Sequence, residues 1–573
     1  MGRNIVVIGA VALGPKAACR LKRLEPDARV VMLDRGLRIS YGGCGIPYYV
    51  SGDVSDAAEL QSTSFHMLRD EQFFRDTKDI EVRPGVEALA IDRAGRTVRV
   101  RNVASGAEES LPYDKLVIAT GSTPRRLPIP GADLPGVFVV ADLDAAVEIR
   151  ARLTAGGIGS AVVIGAGFIG LEMANALADM WGVETTVVEY ADRILPTVLG
   201  PTLAHMARLH MEQKGVGFRL GQQVTAVQGE GRVERVLLGN GEVLNADLVI
   251  MAVGVQPNST LAREAGLTVS ARGGIVVNER LQTSDPDIFA GGDCVELSGL
   301  VAGQPVYLPL GSLANRQGRV IGDNIAGNSA GNGSRTPGAV GSWCVKLFDM
   351  SAAGTGLTME AAQRAGLDAV HVHVSQLDRA HFYPDKGFMF LDMVAERGTG
   401  RVLGVQGVSE MGDALIGRIG AVAAMLPQRA SVADVGNVEL PYSPPFSTAL
   451  DILNMLANVA ENALAGRNRS VLPHEFAALF ADRASGATFF LDCRELGNAA
   501  PFVEKYPGLW RHIPQGELAR RLAEVPRDRR IVLLCNTGAR SYEALITLAA
   551  AGITNAYNVA GGMVSLVHSG VEL

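Results

Sequence analysis

A strand-like run that turns directly into a glycine-rich helix start constrains the fold of this 573-residue chain more than any other feature. The run is AVVIGAGFIGLEMANAL, and it carries Gly165, Gly167 and Gly170. The next strand-like segment, TTVVE, ends at Glu189. In a βαβ unit such glycines let a pyrophosphate approach the start of the helix, and the acid binds a ribose hydroxyl. The pattern predicts a parallel sheet that binds a dinucleotide, with an ordinary strand-to-helix turn as the alternative.

A less complete copy of this pattern opens the chain. The strand-like run IVVI leads to Gly9 and Gly14, while Val11 stands where the middle glycine is expected. A helix is predicted from about Lys16, and the strand-like segment ARVVMLD ends at Asp34, where an acid is needed. The sequence therefore predicts two Rossmann-like units in one chain.

Two further segments, YDKLVIATGSTP and TSDPDIFAGGDC, resemble paired strand-turn elements of the FAD/NAD-linked disulfide reductase superfamily. The resemblance implies that FAD binds the first fingerprint and a nicotinamide dinucleotide binds the second. It also implies that Thr120, Gly121 and Asp293 lie at the flavin, with the aspartate on the ribityl chain and phosphate.

The expected choice of nicotinamide cofactor depends on charge at the second fingerprint. A carboxylate such as Glu189 binds the 2'-hydroxyl of NADH and repels the 2'-phosphate of NADPH. Arg193 follows closely enough to weaken this preference, so NADH is expected and NADPH is the alternative. Phe168 matches an aromatic residue that covers the flavin in the superfamily until nicotinamide displaces it, and a core phenylalanine is the other interpretation.

Cys44 is the predicted redox cysteine. The next cysteine is Cys294, so no local partner can close a disulfide of the glutathione-reductase kind. Its segment, SYGGCGIPYYV, resembles the SFxxCGxPYY segment of coenzyme A-disulfide reductases and related NADH oxidases and peroxidases. The resemblance implies a cysteine that alternates between a thiolate and either a mixed disulfide with coenzyme A or a sulfenic acid. We expect a helix N-terminus and the flavin to lower its pKa from about 8.5, unless the cysteine is buried and structural.

Two tyrosines and a cationic helix favour coenzyme A chemistry within that group. Tyr383 in HFYPD and Tyr442 in PYSPPFS resemble tyrosines that coenzyme A-disulfide reductases contribute from the partner subunit, so a homodimer is expected. A phenol beside the sulfur can donate a proton or a hydrogen bond. Arg20, Lys22 and Arg23 match the place where the family binds coenzyme A phosphates. Packed interface tyrosines and a solvated helix face are the alternatives.

The segment from about residue 470 resembles a rhodanese. A strand-like run delivers Cys535 to a loop whose backbone N–H groups are expected to form an anion-binding concavity. The resemblance implies that Cys535 handles sulfane sulfur and that Arg540 fixes an anionic substrate. In LDCR, Asp492 and Arg494 stand at a strand end, and Cys493 is interpreted as a core residue. The rest of the predicted active loop is Asn536, Thr537, Gly538, Ala539 and Ser541.

These positions predict an α/β chain with four domains, two of them Rossmann-like. A Gly/Ser/Asn-rich stretch at 325–338 is expected to be a loop or boundary. The predicted ranges are 1–110 and 245–335 for the FAD-binding domain, 111–244 for the NAD-binding domain with its connecting strands, 336–456 for an α/β dimerisation domain, and 470–573 for a rhodanese-like domain.

The chain is thereby identified as a member of the coenzyme A-disulfide reductase/rhodanese fusion family, whose members include NAD(P)H-dependent persulfide and polysulfide reductases. The resemblance implies that NADH and FAD reduce Cys44, which in turn reduces a small-molecule acceptor: coenzyme A persulfide, polysulfide or coenzyme A disulfide. Coenzyme A is expected as a bound substrate or adduct. The alternatives are an NADH oxidase or peroxidase that cycles Cys44 through a sulfenate, and a sulfur carrier that delivers persulfide from Cys535 to a protein partner.

Composition favours a cytoplasmic catalyst without nucleic acid or membrane partners. The net charge of -7 opposes general binding to nucleic acid. The chain opens on a strand-like run rather than a signal peptide, and no uninterrupted apolar run is long enough to span a bilayer. Its six cysteines are too scattered for a disulfide framework, so a reducing cytoplasm is expected. No metal site is predicted.

Overall fold

The computed structural model describes residues 2–327 and 333–573. Residues 328–332, within the predicted boundary at 325–338, lie outside the described part. The chain forms two compact units, which consist of Met1–Tyr190 with Gly215–Ala339 and of Ala191–Lys214 with Val340–Leu573.

Along the chain, helices are separated by single strands or by runs of several consecutive strands. The α-helices are α1 (Leu13–Leu24), α2 (Ile46–Ser51), α3 (Ala57–Leu60), α4 (Glu71–Lys78), α5 (Leu143–Ala155), α6 (Phe168–Asp179), α7 (Pro201–Gln213), α8 (Thr260–Glu264), α9 (Gly311–Ile325), α10 (Met359–Arg364), α11 (Gly412–Met425), α12 (Val432–Gly436), α13 (Ile452–Leu464), α14 (Pro473–Ala481), α15 (Leu496–Lys505), α16 (Ala539–Ala550) and α17 (Gly562–His568). Short 3-10 helices cover Gly43–Gly45, Gly292–Cys294, Leu426–Gln428, Arg483–Ser485, Gln515–Arg520 and Leu522–Glu524.

The strands are β1 (Asn4–Ile8), β2 (Arg29–Asp34), β3 (Glu81–Pro84), β4 (Val86–Asp92), β5 (Thr97–Asn102), β6 (Glu108–Pro112), β7 (Lys115–Ile118), β8 (Ser122–Pro124), β9 (Val137–Val139), β10 (Ser160–Ile164), β11 (Glu184–Glu189), β12 (Val216–Leu220), β13 (Val224–Gln228), β14 (Arg235–Leu238), β15 (Val243–Asn245), β16 (Leu248–Met251), β17 (Val255–Pro257), β18 (Ile275–Val276), β19 (Ile288–Ala290), β20 (Val295–Ser298), β21 (Pro305–Val306), β22 (Trp343–Leu347), β23 (Met350–Gly356), β24 (Ala369–Leu377), β25 (Phe388–Glu396), β26 (Val402–Ser409), β27 (Ser470–Val471), β28 (Thr488–Asp492), β29 (Trp510–His512), β30 (Arg530–Leu534) and β31 (Ala556–Val559).

The first unit contains two five-stranded parallel sheets with strand orders β19-β7-β1-β2-β3 and β12-β11-β10-β16-β9. In the first sheet Ile5 is in register with Val30 and Lys115. In the second sheet Val162 is in register with Thr186. The central strands β1 and β10 are almost wholly buried apolar runs, which is typical of parallel sheets covered on both faces. Each of these strands has neighbours that run off in opposite directions along the sheet, so its carboxyl end is a switch point where ligands bind.

The second unit holds an antiparallel sheet of strand order β22-β23-β26-β25-β24. Helices α11 and α13 pack on this sheet, and so does α7. Helix α7 lies within the predicted NAD-binding range 111–244 but clusters with the second unit. Strand β26 is buried along its whole length because helices cover the sheet around it.

The C-terminal part of the second unit is a parallel sheet of order β27-β31-β30-β28-β29. Leu533 in β30 is in register with Leu491 and Asn558. Separate apolar cores, one containing Leu533 and the other Leu534, lie on its two faces. Strand β30 ends immediately before Cys535 and therefore fixes that cysteine at the edge of the sheet.

The predicted α/β class is confirmed by these alternating parallel units. Across residues 2–327 and 333–573, no helix combines the length and apolar character that crossing a membrane requires.

Candidate active site

The two glycine-rich turns have matching geometry. One connects β1 to α1, and the other connects β10 to α6. A side-chain carbon at Gly14 would lie 1.9 Å from the carbonyl oxygen of Gly9, and one at Gly170 would lie 2.0 Å from that of Gly165. Only glycine permits this close packing of helix on turn. Gly167 is the N-cap residue of α6.

The acids at the ends of β2 and β11 also occupy matching positions. The Oδ2 of Asp34 accepts a hydrogen bond from the Ala10 N–H at 2.8 Å, and the Oε2 of Glu189 accepts one from the Ala166 N–H at 2.7 Å. Each carboxylate is thereby fixed against its own turn, where a ribose is expected. Burial raises the pKa of Asp34, although hydrogen bonds from backbone N–H groups oppose the shift.

The helix starts at both turns can receive a pyrophosphate. Neither α1 nor α6 has a side-chain cap, and their first backbone N–H groups lack partners within the helix. A helix N-terminus of this kind favours phosphate through both its free donors and its dipole. The first fingerprint therefore fits the pyrophosphate of FAD and the second that of a nicotinamide dinucleotide.

The loop after β7, which carries Thr120 and Gly121, is tied to the loop after β17. The hydroxyl of Thr120 donates to the Asn258 carbonyl at 2.6 Å, and the Asn258 amide donates to the Thr120 carbonyl at 2.8 Å. The Asn258 N–H donates to the Gly121 carbonyl at 2.9 Å. Asn258 was not identified from the sequence, because no local pattern marks a residue that locks a distant turn.

Asp293 lies in the turn after β19, the strand that pairs with β7 in the sheet. Its Oδ2 accepts a hydrogen bond from the Ser122 hydroxyl at 3.2 Å, and burial raises its pKa. The preceding N–H of Gly292 donates to the side chain of Gln317 in α9 at 2.7 Å. A desolvated carboxyl group of this kind suits a ligand rich in hydroxyl donors, as the ribityl chain of FAD is.

Phe168 and Arg193 lie in different compact units. Phe168 begins α6 and is half-buried, and its movement over a flavin stays a prediction. Arg193 donates to Glu360 at 3.0 Å and to Asp192 at 3.2 Å. Because two carboxylates offset its charge, Arg193 gives little support to binding of a 2'-phosphate.

Cys44 is exposed, in a 3-10 turn that leads into α2. Helix α2 packs against α5 and α6, so the turn that carries Cys44 is held by the helices on either side of the second glycine-rich turn. The Trp181 indole N–H donates to the Val50 carbonyl at 2.8 Å, and Arg150 donates to the Tyr49 carbonyl at 2.8 Å. Exposure argues against the buried structural cysteine that was the alternative.

The first residue of α9 lies against the sulfur of Cys44. A side-chain carbon at Gly311 would be 3.4 Å from Sγ, and the Gly311 N–H lowers the pKa of the thiol. The same helix packs along α1. Helix α9 therefore connects the helix of the first fingerprint to the redox cysteine. Its first residue supplies the helix N-terminus that was predicted beside Cys44, which the sequence did not assign to a particular helix.

The side chains around Cys44 act in the opposite direction. Partial desolvation raises the pKa of the thiol, and the negative charges of Glu172 and Asp293 raise it further. These effects exceed the contribution of Gly311, so the net shift is upward. The protein groups alone therefore raise the pKa of the Cys44 thiol, and the prediction of a lowered pKa is wrong for them. A lowered pKa would have to come from the bound flavin.

Glu172 and Tyr48 form a pair beside Cys44 that was not identified from the sequence. The Tyr48 hydroxyl donates to the Oε1 of Glu172 at 3.4 Å. Burial raises the pKa of Glu172 to about 7, and the Tyr48 hydrogen bond only partly offsets this shift. Glu172 can therefore exchange a proton near neutral pH. Two features of the sequence could have indicated this pair. Glu172 follows Gly170 by two residues in α6, and Tyr48 belongs to the PYY segment after Cys44.

Tyr383 and Tyr442 lie on loops of the second unit. Tyr383 is half-buried between β24 and β25, and Tyr442 is 52% exposed after α12. Both tyrosines lie in segments without regular secondary structure, as is common for residues that contact another subunit. Their approach to Cys44 of a partner subunit stays a prediction.

The three predicted coenzyme A cations differ in their surroundings. Arg20 donates to Asp323 at 2.5 Å, and Lys22 donates to Asp79 at 2.5 Å and to the Ala28 carbonyl at 2.9 Å. Arg23 is exposed on the same helix. Lys22 is therefore already bonded to groups of the same nucleotide-binding part. A coenzyme A phosphate would have to compete with Asp323 for Arg20.

Cys535 occupies a nearly closed nest at the end of β30, with 2% exposure. Its Sγ accepts hydrogen bonds from the Gly538 N–H and the Ser541 hydroxyl, each at 3.1 Å. Asn558 holds the loop, since its amide donates to the Gly538 carbonyl at 3.1 Å. These donors suit an anionic sulfur. Helix α16 begins at Ala539.

Around this nest, Arg540 is partly exposed and lies 3.7 Å from Glu495, so an anionic substrate would have to draw it away from that carboxylate. Arg494 and Asp492 form a buried ion pair at 2.7 Å, which supports the strand end rather than a substrate. Cys493 is fully buried in the apolar core. The loop residues Asn536 and Thr537 are half-buried.

Groups of three or more His, Cys, Asp or Glu side chains placed to hold a metal ion are absent from the described residues.

Three protein families match successive parts of the chain. Residues 3–318 match Pyridine nucleotide-disulphide oxidoreductase, and residues 343–453 match the dimerisation domain of that group. Residues 475–568 match the Rhodanese-like domain. The order agrees with the predicted series of nucleotide-binding, dimerisation and rhodanese-like parts.

The chain is also similar to characterised proteins over most of its length. It is 35% identical over 458 residues to the NAD(P)H sulfur oxidoreductase (CoA-dependent) of Pyrococcus abyssi, which covers 80% of this chain and 98% of the relative. A NAD-dependent persulfide reductase from A. fulgidus has a TM-score of 0.91 and 38% identity, and the match covers 98% of this chain and 99% of that one. Reduced CoADR-RHD of Bacillus anthracis has a TM-score of 0.90 and 31% identity, with 99% and 98% covered.

Proposed function

Since the chain belongs to the pyridine nucleotide-disulphide oxidoreductase family, we propose that it is an NADH-dependent flavoprotein that reduces coenzyme A persulfide, polysulfide or coenzyme A disulfide at Cys44. The observation that carries this proposal is the exposed, single cysteine against the first N–H of α9. A full-length likeness to a persulfide reductase supports the choice of acceptor.

The first fingerprint, with Asp34 and Asp293, would hold FAD, and the second, with Glu189, would hold NADH. Bound FAD supplies two-electron transfer between the nicotinamide and sulfur. Asp34 accepts a hydrogen bond from its own turn at 2.8 Å, and Asp293 accepts one from the Ser122 hydroxyl in the loop after β7 at 3.2 Å, so both acids that would hold FAD already have fixed positions.

The proposed acceptor reaction is a thiolate exchange. The Cys44 thiolate attacks the coenzyme A sulfur of the persulfide, and the outer sulfur leaves as hydrosulfide. A mixed disulfide between Cys44 and coenzyme A remains. Two electrons and one proton, equal to a hydride from NADH, then return the Cys44 thiolate and free coenzyme A, so that one hydrosulfide is released for each NADH consumed.

Glu172 and Tyr48 would manage protons in this cycle. A carboxyl group with a pKa of about 7 is partly protonated at neutral pH, and its pair with Tyr48 lies close enough to influence the Cys44 thiol. When Glu172 is neutral, it no longer opposes formation of the thiolate. We propose Tyr383 and Tyr442 of a partner subunit as further proton or hydrogen-bond donors, and Arg20, Lys22 and Arg23 as contacts of coenzyme A.

The Cys535 thiolate would attack the sulfane sulfur of thiosulfate or polysulfide in the nest of Gly538 and Ser541, with Arg540 attracting the anion. A Cys535 persulfide would form, and sulfite or a polysulfide one sulfur shorter would leave. The dimerisation domain supports a homodimer. Six cysteines scattered along 573 residues are too few for a disulfide framework, which supports a reducing cytoplasm as the proposed location.

The proposal is tested on the full chain reconstituted with FAD, by following NADH oxidation with coenzyme A persulfide, coenzyme A disulfide and oxygen in parallel. We expect persulfide to give the fastest turnover, with one sulfide per NADH, and Cys44→Ser to abolish it while FAD stays bound. Cys344→Ser, which changes another exposed cysteine, is the matched control. Faster turnover with oxygen than with either coenzyme A acceptor would instead favour the oxidase, and full activity of Cys44→Ser would exclude the mechanism.

A further inference from the structure

A buried polar chain joins the antiparallel sheet to the C-terminal sheet within the second unit. The Nδ1 of His373 lies 2.7 Å from the Oδ1 of Asp392, and its Nε2 lies 2.8 Å from the Ser565 hydroxyl. His373 and Asp392 face each other across β24 and β25, whereas Ser565 lies in α17. The chain therefore connects the dimerisation part to the rhodanese-like part.

All three groups are removed from water. His373 is 2% exposed, Asp392 1% and Ser565 0%. A carboxylate in this setting only accepts hydrogen bonds, so the Nδ1 of His373 donates to it and the Nε2 is left to pair with Ser565. Burying such polar groups is unfavourable unless each has a hydrogen-bond partner. The three side chains are therefore held in the one arrangement in which these hydrogen bonds form. His371 lies 3.0 Å from the other oxygen of Asp392.

The far end of the chain touches the segment that carries the rhodanese cysteine. The N–H of Met563, in the first turn of α17, donates to the Cys535 carbonyl at 2.8 Å, and the Val564 N–H donates to the Asn536 carbonyl at 3.0 Å. Ser565 follows directly. The residues that Ser565 anchors are thus the residues that hold the backbone of the nucleophile.

A second contact from the same strand supports this anchor. The Ser375 hydroxyl donates to the Gly561 carbonyl at 2.7 Å. Ser375 and His373 are two residues apart in β24 and therefore point to the same face of the sheet. A side-chain carbon at Gly562 would lie 2.4 Å from the Cys535 carbonyl oxygen, so there is no slack between this turn and the nucleophile.

We propose that His373 is a positioning residue for Cys535, acting through Ser565 and the first turn of α17. The inference rests on the proposed sulfur-transfer role of Cys535. It makes the dimerisation sheet part of the rhodanese site, because the nest around Sγ keeps its geometry only while the hydrogen bond between residue 373 and Ser565 holds the turn at 561–565. The alternative is a contact that only adds stability.

Two isosteric substitutions of His373 separate its hydrogen bonds. In His373→Asn the amide nitrogen replaces Nδ1, so the bond to Asp392 is retained and the bond to Ser565 is lost. In His373→Gln the amide reaches the position of Nε2, so the bond to Ser565 is retained. Ser565→Ala removes the same link from the other side by loss of one hydroxyl. His371→Leu weakens the surroundings of Asp392 and leaves the link in place.

The test uses the full, FAD-loaded chain and measures alkylation of Cys535 by iodoacetamide, read by mass spectrometry of its peptide. Sulfide release from thiosulfate is measured beside it with NADH and coenzyme A in excess. We expect His373→Asn and Ser565→Ala each to slow both rates on the order of tenfold, and the double variant to be no slower than either. His373→Gln should restore most of the rate. NADH-dependent reduction of coenzyme A disulfide should be unchanged in all variants.

Wild-type rates in Ser565→Ala, or equal losses in His371→Leu, would overturn the inference and leave a purely stabilising contact. Alkylation does not require turnover. A wild-type chain that releases no sulfide from thiosulfate would therefore contradict the proposed function of Cys535, while the alkylation rates would still decide whether His373 positions it.

Discussion

The hydroxyl of Ser541 lies 3.1 Å from the Sγ of Cys535 and 2.7 Å from the Oδ1 of Asn558. It has one proton and three acceptors within reach, the third being the Gly538 carbonyl at 3.3 Å, so it can turn toward the sulfur as negative charge develops there. The nest therefore contains a donor that adapts to the state of the sulfur, beside the fixed N–H of Gly538.

Ser541→Ala is expected to slow sulfur transfer at Cys535 about tenfold, since a hydrogen bond to a charged group is worth roughly 1.5 kcal/mol. The measurement is sulfide release from thiosulfate with NADH in excess. Ser541→Thr keeps the hydroxyl and serves as the control. An unchanged rate in the alanine variant would show that the backbone N–H alone stabilises the sulfur.

Glu172→Gln is expected to change the pH dependence of Cys44. Above about pH 7 Glu172 is ionised and raises the pKa of the Cys44 thiol, whereas below that pH it is neutral and has little effect. The variant should therefore alkylate faster than the wild type at pH 8 and at the same rate at pH 5.5. Equal rates at pH 8 would show that Glu172 does not control the thiol.

The same group should leave a signature in stability. The pKa of Glu172 is about 7 in the folded chain against an ordinary value of 4.5. The folded state therefore binds more protons between these values, and the free energy of unfolding that this group contributes falls as pH rises through that window. Thermal unfolding at pH 5 and pH 8 should show a smaller loss in Glu172→Gln than in the wild type. A parallel loss in both proteins would contradict the shifted pKa.

Tyr442→Phe is expected to lower kcat with little change in KM, because the phenol would act as a donor during the reaction rather than as a binding contact. Tyr190→Phe, which removes another exposed phenol, is the control. Steady-state kinetics with coenzyme A disulfide would check this, and an unchanged kcat would return Tyr442 to a role in packing.

The strand ends at the two nucleotide sites could be predicted from the sequence, whereas the start of the first helix could not. The ends of β2 at Asp34 and β11 at Glu189 were predicted correctly because both follow from local patterns of apolar residues and glycine. The start of α1 at Leu13 was missed by a few residues, since Leu13 and Gly14 read as part of the turn. Helix boundaries depend on hydrogen bonds that composition does not reveal.

The long-range partners of the two cysteine sites could not be predicted. Gly311 reaches Cys44, and Ser565 reaches His373, only because sheets bring distant segments together. Lys22 looked like a free cation beside Arg23, but its partner Asp79 lies in a separate loop after α4. Long-range partners of this kind have no signature in a single sequence.

Cys535→Ser is expected to separate the two acceptors. Reduction of a ready-made coenzyme A persulfide should stay largely intact, because that substrate can reach Cys44 directly. Sulfide production from polysulfide or thiosulfate should fall sharply, since those anions need the nest first. If both acceptors lose activity equally, or neither does, Cys535 is not the entry point and the C-terminal domain acts as an independent sulfurtransferase.

The central claim is that Cys44 forms a mixed disulfide with coenzyme A, and it is tested most directly by mass spectrometry of the full chain after exposure to coenzyme A persulfide without NADH. The account predicts a coenzyme A adduct on the peptide that contains Cys44, one sulfide released per adduct, and loss of the adduct when NADH is added. Release of sulfide without any adduct on Cys44, or an adduct that NADH does not remove, would contradict it.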